Sequence, residues 1–210
     1  MSYLEHLKEH AMQNPEELEF LINIAKNLGA KKILEIGTCG GYTAAALASI
    51  GAEVTTMDIF EVTYFPWDEP EYKAEFPNSS VKYVHHDSRT FMGAQAVRLP
   101  NDEKYDLVFI DGEHSDLTGY MDWKQYAEMS KGPVAIHDIN NYQTMFDKDW
   151  FPRTFWRMVK AGEYQSEESV GHKEPLGHDS AGMGVVFLKE GDYSKLTKAF
   201  EKYLLNKFNE

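Results

Sequence analysis

Residues 31–60, KKILEIGTCGGYTAAALASIGAEVTTMDIF, constrain the fold of this chain more than any other stretch. An apolar run ends at Ile36, three glycines follow within five residues, and small residues lead to a second apolar run that ends at Asp58. Glycines directly after a strand let the backbone approach a ligand closely, and the helix that follows presents N–H groups without partners. The stretch therefore predicts a strand, a ligand-binding turn, a helix and a second strand.

The rest of the chain repeats this alternation of strands and helices. The predicted strands are residues 32–36, 53–58, 81–87, 105–112, 133–138 and 182–191, and the predicted helices are residues 15–28, 42–50, 88–98, 115–130, 151–161 and 193–208. The stretch YDLVFIDG carries a continuous apolar run, as expected for a strand covered by helices on both faces. The alternation predicts one α/β domain over residues 1–210, with N-terminal helices within residues 1–30, a mostly parallel sheet and a variable, aromatic segment over residues 139–182.

The charge balance limits the partners that the chain can bind. Its 210 residues include 21 basic and 34 acidic side chains, which give a net charge of -13. Such a surface repels phosphate backbones and anionic lipids, so nucleic acid and membrane are disfavoured as partners. The single cysteine, Cys39, excludes an intrachain disulfide, and no stretch approaches the roughly 20 apolar residues of a membrane helix. We therefore expect a cytoplasmic protein.

The glycine turn differs from the turn that binds dinucleotides. A dinucleotide fingerprint needs G-x-G-x-x-G after the strand, but the third position counted from Gly37 is Cys39 and the sixth is Tyr42. In addition, Glu35 lies two residues before Gly37. A carboxylate at that point is poorly placed beside a pyrophosphate and suits a ligand with an ammonium or a sulfonium group. A nicotinamide-dependent oxidoreductase is therefore disfavoured.

Acidic residues also end the second and third predicted strands. Asp58 can accept hydrogen bonds from both hydroxyls of a ribose, and Asp87 with Ser88 can bind an adenine amino group. Each feature alone has an ordinary structural explanation: a tight turn for the glycines, a helix cap for Asp58, and an N-cap for Asp87 and Ser88. Together, at the ends of successive strands, these features describe a nucleoside with an amino-acid tail, and S-adenosylmethionine fits that description.

Five stretches of the chain carry a family resemblance: EIGTCGGYT, TTMDIF, HHDS, YDLVFIDGEHS and AIHDI. With them the sequence resembles the class I S-adenosylmethionine-dependent methyltransferases. Within that superfamily it is similar to small-molecule O-methyltransferases of the catechol type and to a bacterial group related to the cephalosporin-hydroxylase-like proteins. The resemblance implies an α/β, Rossmann-like domain whose seven-stranded, mostly parallel sheet has helices on both faces. It also implies one antiparallel strand near the edge, with MGVVFLK as one of the last two strands.

The same resemblance implies which residues bind the methyl donor and where the acceptor lies. The implied donor-binding residues are Glu35, Gly37, Thr38, Gly41, Thr43, Asp58, Asp87, Ser88 and Asp111. The acceptor side is expected in the variable segment over residues 139–182. Its aromatic residues either wall an aromatic or apolar substrate or pack against the sheet or a second subunit. They are Tyr142, Phe146, Trp150, Phe151, Phe155 and Trp156.

Asp111 and Asp138 end the fourth and fifth predicted strands. If these strands are adjacent and parallel, both carboxylates project into one crevice, where paired acids suit a hard divalent cation, most often Mg²⁺. Such a cation would bind the acceptor oxygen and lower its pKa. Catechol-type enzymes have an asparagine directly after the second aspartate, but Ile139 stands here. The candidates to replace that asparagine as a ligand are Asn140, Asn141 and His137. A metal-free acid/base pair of His137 and Asp138 is the alternative.

His114 lies three residues after Asp111, where catechol-type enzymes have a lysine base. A histidine titrates near neutrality and can take a proton from a hydroxyl group; a histidine that bonds to the backbone at a helix start is the alternative. His137 lies inside an otherwise apolar strand, where it is either catalytic or a buried structural residue. The candidate catalytic residues are therefore His114, Asp111 and His137.

The favoured function is S-adenosylmethionine-dependent O-methylation of a small hydroxylated metabolite, with assistance from a divalent metal left open. A non-catalytic nucleoside-binding protein on the same fold, with a regulatory or assembly role, is the alternative. The acceptor is expected to be a small molecule, and a homodimer is left open as the assembly.

Overall fold

The computed structural model describes residues 2–140, 150–169 and 181–209. Its helices are α1 Tyr3–His10, α2 Pro15–Asn27, α3 Tyr42–Ala48, α4 Pro70–Glu75, α5 Phe91–Val97, α6 Asp116–Tyr126, α7 Phe151–Ala161 and α8 Asp192–Phe208. Its strands are β1 Lys32–Ile36, β2 Glu53–Asp58, β3 Ser80–His85, β4 Leu107–Ile110, β5 Pro133–His137, β6 Ser166–Ser169 and β7 Met183–Phe187. Short 3₁₀ turns lie at Pro66–Asp68, Pro100–Asp102 and Ala127–Met129.

The strands of the described residues form one seven-stranded sheet in the order β3-β2-β1-β4-β5-β7-β6. Strands β1 to β5 pair in parallel with their neighbours, whereas β7 is antiparallel to both β5 and β6. The predicted seven-stranded, mostly parallel sheet with an antiparallel strand near its edge is therefore confirmed. The sequence did not predict β6, because its residues SEES are all polar and pair with a neighbour on one side only.

Helices cover both faces of the sheet, as predicted. On one face of the sheet, Val108 and Ile110 of β4 share a core cluster with Trp123 of α6. On the opposite face, Leu107 and Phe109 share a core cluster with residues of α2 and α3. Since all four β4 side chains are buried, the continuous apolar run in the sequence is explained by burial on both sides. No helix in the described ranges is long and apolar enough to span a membrane.

The strand order places a crevice at the carboxyl ends of β1 and β4. The chain leaves β1 toward β2 on one side, and β4 lies on the other, so the sheet reverses its order here. Gly37 follows β1 with φ of +97°, and a Cβ on it would lie 2.1 Å from the carbonyl oxygen of Asp111. Only glycine therefore fits, and its close approach brings the turn after β1 against the end of β4.

Candidate active site

A cleft of about 1210 Å³ lies over the carboxyl ends of β1, β2, β4 and β5. It collects most of the residues that the sequence analysis singled out. These are Gly37, Thr38, Gly41, Thr43, Asp58, Asp87, Ser88, Asp111, His114, His137 and Asp138. Glu35 and Asn140 do not line the cleft. The side chain of Asn140 instead packs against Gly182, where a Cβ would come within 2.9 Å of its Nδ2 atom.

The carboxylate of Asp58 holds the glycine turn at one end of the cleft. Its Oδ2 atom accepts hydrogen bonds from the backbone N–H groups of Thr38 (2.9 Å) and Cys39 (2.8 Å). Its Oδ1 atom accepts one from the N–H of Phe60 at 3.0 Å. Each carboxylate oxygen has more than one acceptor site, so these bonds orient the group and leave capacity for a ligand. The turn is thus fixed by the strand next to it.

Glu35 lies beneath the turn and away from the cleft. Only 1% of its surface is exposed, and the hydroxyl of Thr56 donates a hydrogen bond to its Oε2 atom at 2.5 Å. Burial raises the pKa of Glu35 to about 8, since the hydrogen bond from Thr56 offsets only part of the cost of ionising a buried carboxyl. In this arrangement Glu35 is linked through Thr56 to Thr38 of the turn, and its contact with the donor stays a prediction.

At the far side of the glycine turn, Asp87 is paired with Arg89. The guanidinium donates to both carboxylate oxygens, at 2.9 and 2.8 Å, and the hydrogen bond from Arg89 lowers the pKa of Asp87. The carbonyl of the adjacent Ser88 accepts a hydrogen bond from the hydroxyl of Tyr126 at 2.6 Å. Arg89 also lines the cleft, although the sequence analysis did not select it.

Two histidines and two aspartates form a cluster where β4 and β5 meet the cleft. His114 has its Nδ1 atom 2.9 Å from Oδ2 of Asp138 and its Nε2 atom 3.3 Å from Oδ1 of Asp111. His137 has its Nδ1 atom 3.3 Å from the same Oδ1 of Asp111. Asp138 adopts φ of 61°, a left-handed conformation that aspartate tolerates better than most residues. The parallel neighbours β4 and β5 thus bring the two aspartates together, as their positions in the sequence predict.

The charges of this cluster shift the pKa values of its members. Burial lowers the pKa of His114, but the hydrogen bonds that its ring donates to Asp111 and Asp138 outweigh this effect and raise the pKa to about 9. Burial also opposes the charge on His137, yet Asp111 and Glu17 raise its pKa well above the usual value. Conversely, the two imidazoles hold the pKa of Asp111 well below its usual range against the effect of burial. The cluster therefore balances carboxylates against imidazolium groups.

The N-terminal segment supplies two residues to this cluster that the sequence analysis missed. Gln13 donates a hydrogen bond from Nε2 to Oδ2 of Asp111 at 2.5 Å, and its amide oxygen accepts one from the hydroxyl of Thr43. Glu17 in α2 lies with its Oε2 atom 3.1 Å from Nε2 of His137. These contacts join residues 98 and 120 positions apart, so no local pattern indicates them. The only signal is the N-terminal motif of α2, in which Glu17 follows Asn14 by three residues.

The aromatic residues proposed for the acceptor wall divide into three groups. Phe151, Phe155 and Trp156 are buried in the core cluster on one face of the sheet, so they pack rather than line the cleft. Trp150 lies with its ring 5.4 Å from that of His114. Tyr142 and Phe146, like Asn141, lie outside the described residues.

The donor atoms of the cluster suit a divalent cation. One ligand atom from each of Asp111, His114 and Asp138 lies within 4.8 Å of the others. Two carboxylates and an imidazole are ligands for a range of divalent metals, with oxygen favouring Mg²⁺ and nitrogen favouring transition metals. Ile139 is 2% exposed and belongs to the core, so the asparagine ligand of catechol-type enzymes has no counterpart directly after Asp138.

The fold and the cleft define a class I methyltransferase architecture, and comparison with known proteins agrees. A family model described as "Methyltransferase domain" matches residues 34–139, half of the chain. The chain belongs to this methyltransferase family, which confirms the class of enzyme that the sequence predicted. The match covers the glycine turn and both aspartates of the cluster.

One curated relative is the ubiquinone biosynthesis O-methyltransferase of Actinobacillus pleuropneumoniae serotype 7. It is 30% identical over 95 residues, which are 45% of this chain and 38% of that protein. The chain therefore aligns with well under half of that relative's length, and the shared part supports the family rather than the substrate.

Two solved structures show how widely the fold is shared. An O-methyltransferase from Bacillus cereus, crystallised with S-adenosylhomocysteine, has a TM-score of 0.58 and 18% identity, over 89% of this chain and 90% of that one. The O-methyltransferase TomG from Streptomyces achromogenes, involved in tomaymycin synthesis and crystallised with S-adenosylmethionine, has a TM-score of 0.59 and 23% identity. That match covers 85% of this chain and 82% of TomG. At these identities the likeness concerns the fold.

Proposed function

We propose that the protein transfers the methyl group of S-adenosylmethionine to a hydroxyl oxygen of a small-molecule acceptor. The observation that carries this proposal is that His114, with Asp111 and Asp138 at the ends of β4 and β5, lines the same cleft as the glycine turn after β1. A donor bound along the turn would present its sulfonium methyl toward the imidazole. Both reacting groups would then share one enclosed site.

For the donor, the expected contacts follow the cleft from one strand end to the next. The N–H groups at the start of α3 and the small residues Gly37 and Gly41 give room for the amino-acid portion. Asp58 would accept hydrogen bonds from the ribose hydroxyls, and Asp87 with Ser88 would lie at the adenine. Glu35 contributes by supporting the turn. The relatives crystallised with S-adenosylmethionine or its demethylated product support this choice of donor.

The transfer itself is an in-line displacement at the methyl carbon. The acceptor oxygen forms a bond to the methyl group, the carbon–sulfur bond breaks with its electron pair on sulfur, and the hydroxyl proton leaves. Holding the two reactants in line supplies up to about 7–11 kcal/mol of the barrier. His114 is the group placed to take the proton, which requires that its imidazole first be neutral. Asp111 and Asp138 raise the pKa of His114. Any contact that neutralises these carboxylates therefore favours the neutral imidazole, the form of His114 that can take the proton.

A divalent cation fits this role, and Asp111 and Asp138 with a neighbouring imidazole would hold it. When bound, such a cation lowers the pKa of a hydroxyl that it contacts. Mg²⁺ is the ion that the two carboxylates favour. We propose small molecules as partners, because the net charge of -13 opposes binding to nucleic acid and anionic membranes. We also propose a cytoplasmic location, since a single cysteine, Cys39, fits a reducing compartment. Light scattering, which measures the molar mass in solution, determines whether the protein forms a homodimer.

One observation favours a second candidate, a nucleoside-binding protein without catalysis. Asp111 already has partners on both oxygens, from His114, His137 and Gln13. A cluster satisfied in this way can be a structural feature. Such a protein would bind the donor and its product equally well but would methylate no acceptor.

Incubation of the protein with S-adenosylmethionine and a panel of catechols and phenols, with and without Mg²⁺, separates the two candidates. Mass spectrometry is expected to detect a methylated product that is lost in the His114→Asn variant, while calorimetry shows that the variant still binds S-adenosylhomocysteine. Heat released with NAD but not with S-adenosylhomocysteine would contradict both candidates.

A further inference from the structure

Glu17 is the buried acid that the proposed mechanism leaves without a role. It is 1% exposed, and it belongs to α2, far along the chain from every strand that forms the cluster. Its Oε1 atom accepts a hydrogen bond from the backbone N–H of Gly182 at 2.7 Å. Its Oε2 atom lies 3.1 Å from Nε2 of His137 and 3.3 Å from the N–H of Asn14. The carboxylate is therefore fixed from three sides.

The contact with Glu17 determines how the ring of His137 faces the cluster. A carboxylate can only accept hydrogen bonds, so Nε2 of His137 must carry a proton toward Glu17. The other ring nitrogen, Nδ1, then faces the two aspartates, 3.3 Å from Oδ1 of Asp111 and 3.7 Å from Oδ1 of Asp138. Nδ1 is therefore the ring nitrogen that His137 presents to the two carboxylates.

A carboxylate behind a histidine is the arrangement that orients histidine ligands in metal sites. Such ligands almost always donate the other ring N–H to a carboxylate, a carbonyl or water, which sets the tautomer and makes the ligating nitrogen more basic. From this geometry we infer that Glu17 is a positioning residue that makes His137 the third metal ligand, beside Asp111 and Asp138. The inference rests on the proposed methyltransferase site and adds its third ligand, in place of the asparagine that Ile139 cannot supply. His114 is then left free to act on the acceptor.

The Glu17→Gln variant tests this inference because it keeps the shape of the side chain and reverses its hydrogen bonding. The glutamine oxygen is expected to keep the shorter of the two backbone hydrogen bonds, from the N–H of Gly182 at 2.7 Å. Its NH₂ group then faces His137, and the 3.3 Å bond from the N–H of Asn14 is lost. Nε2 of His137 must then accept, and the proton moves to Nδ1, where it blocks a metal. Glu19→Gln, an exposed change on the same helix, is the matched control.

Mn²⁺ binding measured by electron paramagnetic resonance provides a readout that does not depend on activity. We expect Glu17→Gln to bind Mn²⁺ about 10 to 100 times more weakly than the native protein, with Glu19→Gln unchanged. Pulsed measurements should detect one imidazole nitrogen coupled to Mn²⁺ in the native protein. This coupling should be lost in Glu17→Gln and His137→Gln and kept in His114→Gln.

Several results would overturn the inference. They are native Mn²⁺ affinity and nitrogen coupling in Glu17→Gln, loss of the coupling in His114→Gln instead, or no Mn²⁺ bound by the native protein. A purely structural Glu17 would lower the melting temperature of the metal-free protein without changing the coupling. If Glu17→Gln does not fold, the two histidine variants decide. Titration of the same samples with S-adenosylhomocysteine tests the proposed function separately, because a protein can bind Mn²⁺ here without binding the donor.

Discussion

The donor end of the cleft, at β1 to β3, and the reacting end, at β4 and β5, both carry aspartates but hold them in different ways. At the glycine turn, Asp58 accepts from backbone N–H groups 19 and 20 residues away, and Asp87 is paired with Arg89 two residues on. At the reacting end, Asp111 is contacted by Gln13 from 98 residues away, and His137 by Glu17 from 120 residues away. The donor end is thus a product of neighbouring strands, whereas the reacting end depends on the N-terminal helices packing correctly.

Because the two ends are held by different contacts, we expect substitutions to affect donor binding and methyl transfer separately. A change at the donor end should alter affinity for the donor, because its acids orient the turn. A change at the reacting end should alter turnover while the donor still binds. Four substitutions examine this separation, in order of decreasing effect.

Asp111→Asn is expected to have the largest effect. Asp111 is shared by both imidazoles and Gln13, and an amide cannot accept from all of them. We expect methyl transfer to fall about 10²- to 10⁴-fold, the range for loss of acid–base chemistry. Affinity for S-adenosylhomocysteine, measured by calorimetry, should change little. Turnover at the native rate would show that the reacting end lies elsewhere.

Gly37→Ala tests the donor end against a control in the same backbone conformation. Gly37 and Gly51 have φ of +97° and +84°, but only at Gly37 would a Cβ meet another atom, the Asp111 carbonyl. Both alanines are strained by about 1–3 kcal/mol. Gly37→Ala should in addition weaken donor binding at least tenfold, because the turn must move away from β4. Equal losses of melting temperature and equal donor affinities in the two variants would contradict this role of the turn.

Glu35→Gln tests the support beneath the turn through the pH dependence of stability. Burial raises the pKa of Glu35 from its usual 4.5 to about 8, so the unfolded chain releases this proton first as the pH rises. The free energy of unfolding of the native protein should therefore fall between about pH 5 and pH 8 because of Glu35. The glutamine variant should not show this fall. By pH 8 the variant should gain on the order of a few kcal/mol relative to the native protein.

Urea unfolding at pH 5, 6.5 and 8 provides the measurement for Glu35→Gln. Glu53→Gln, an exposed change on the neighbouring strand β2, controls for the loss of a charge. A difference between Glu35→Gln and the native protein that stays constant with pH would mean that Glu35 is ionised when folded.

Cys39→Gly should have the smallest effect. Cys39 has φ of 48°, which glycine adopts without strain. Its contact with Asp58 is a hydrogen bond donated by the backbone N–H, which glycine also has. We expect unchanged donor affinity and a gain in stability of about 1 kcal/mol or less. The variant places glycine at the third position of the dinucleotide fingerprint, but its sixth position is still Tyr42. We therefore expect that NAD still does not bind. NAD binding by calorimetry would reopen the oxidoreductase alternative.

The contrast between the two ends also explains how much the sequence could predict. The strand, glycine turn and helix of residues 31–60 form one local pattern, and the aspartates at the ends of β4 and β5 converge because parallel strands end at the same edge. The roles of Gln13 and Glu17 were not predictable, since they arise from contacts across most of the chain. The burial of Glu35 follows from coverage of both sheet faces, which a pattern of one strand does not reveal.

A crystal structure of the protein with S-adenosylhomocysteine is the most direct test of the site. The adenine is expected beside Asp87 and Ser88, the ribose hydroxyls within hydrogen-bonding distance of Asp58, and the sulfur pointing toward His114 and Asp111. A nucleoside bound in the opposite direction, with its adenine at the histidines, or bound outside the cleft, would contradict the proposed methyl transfer.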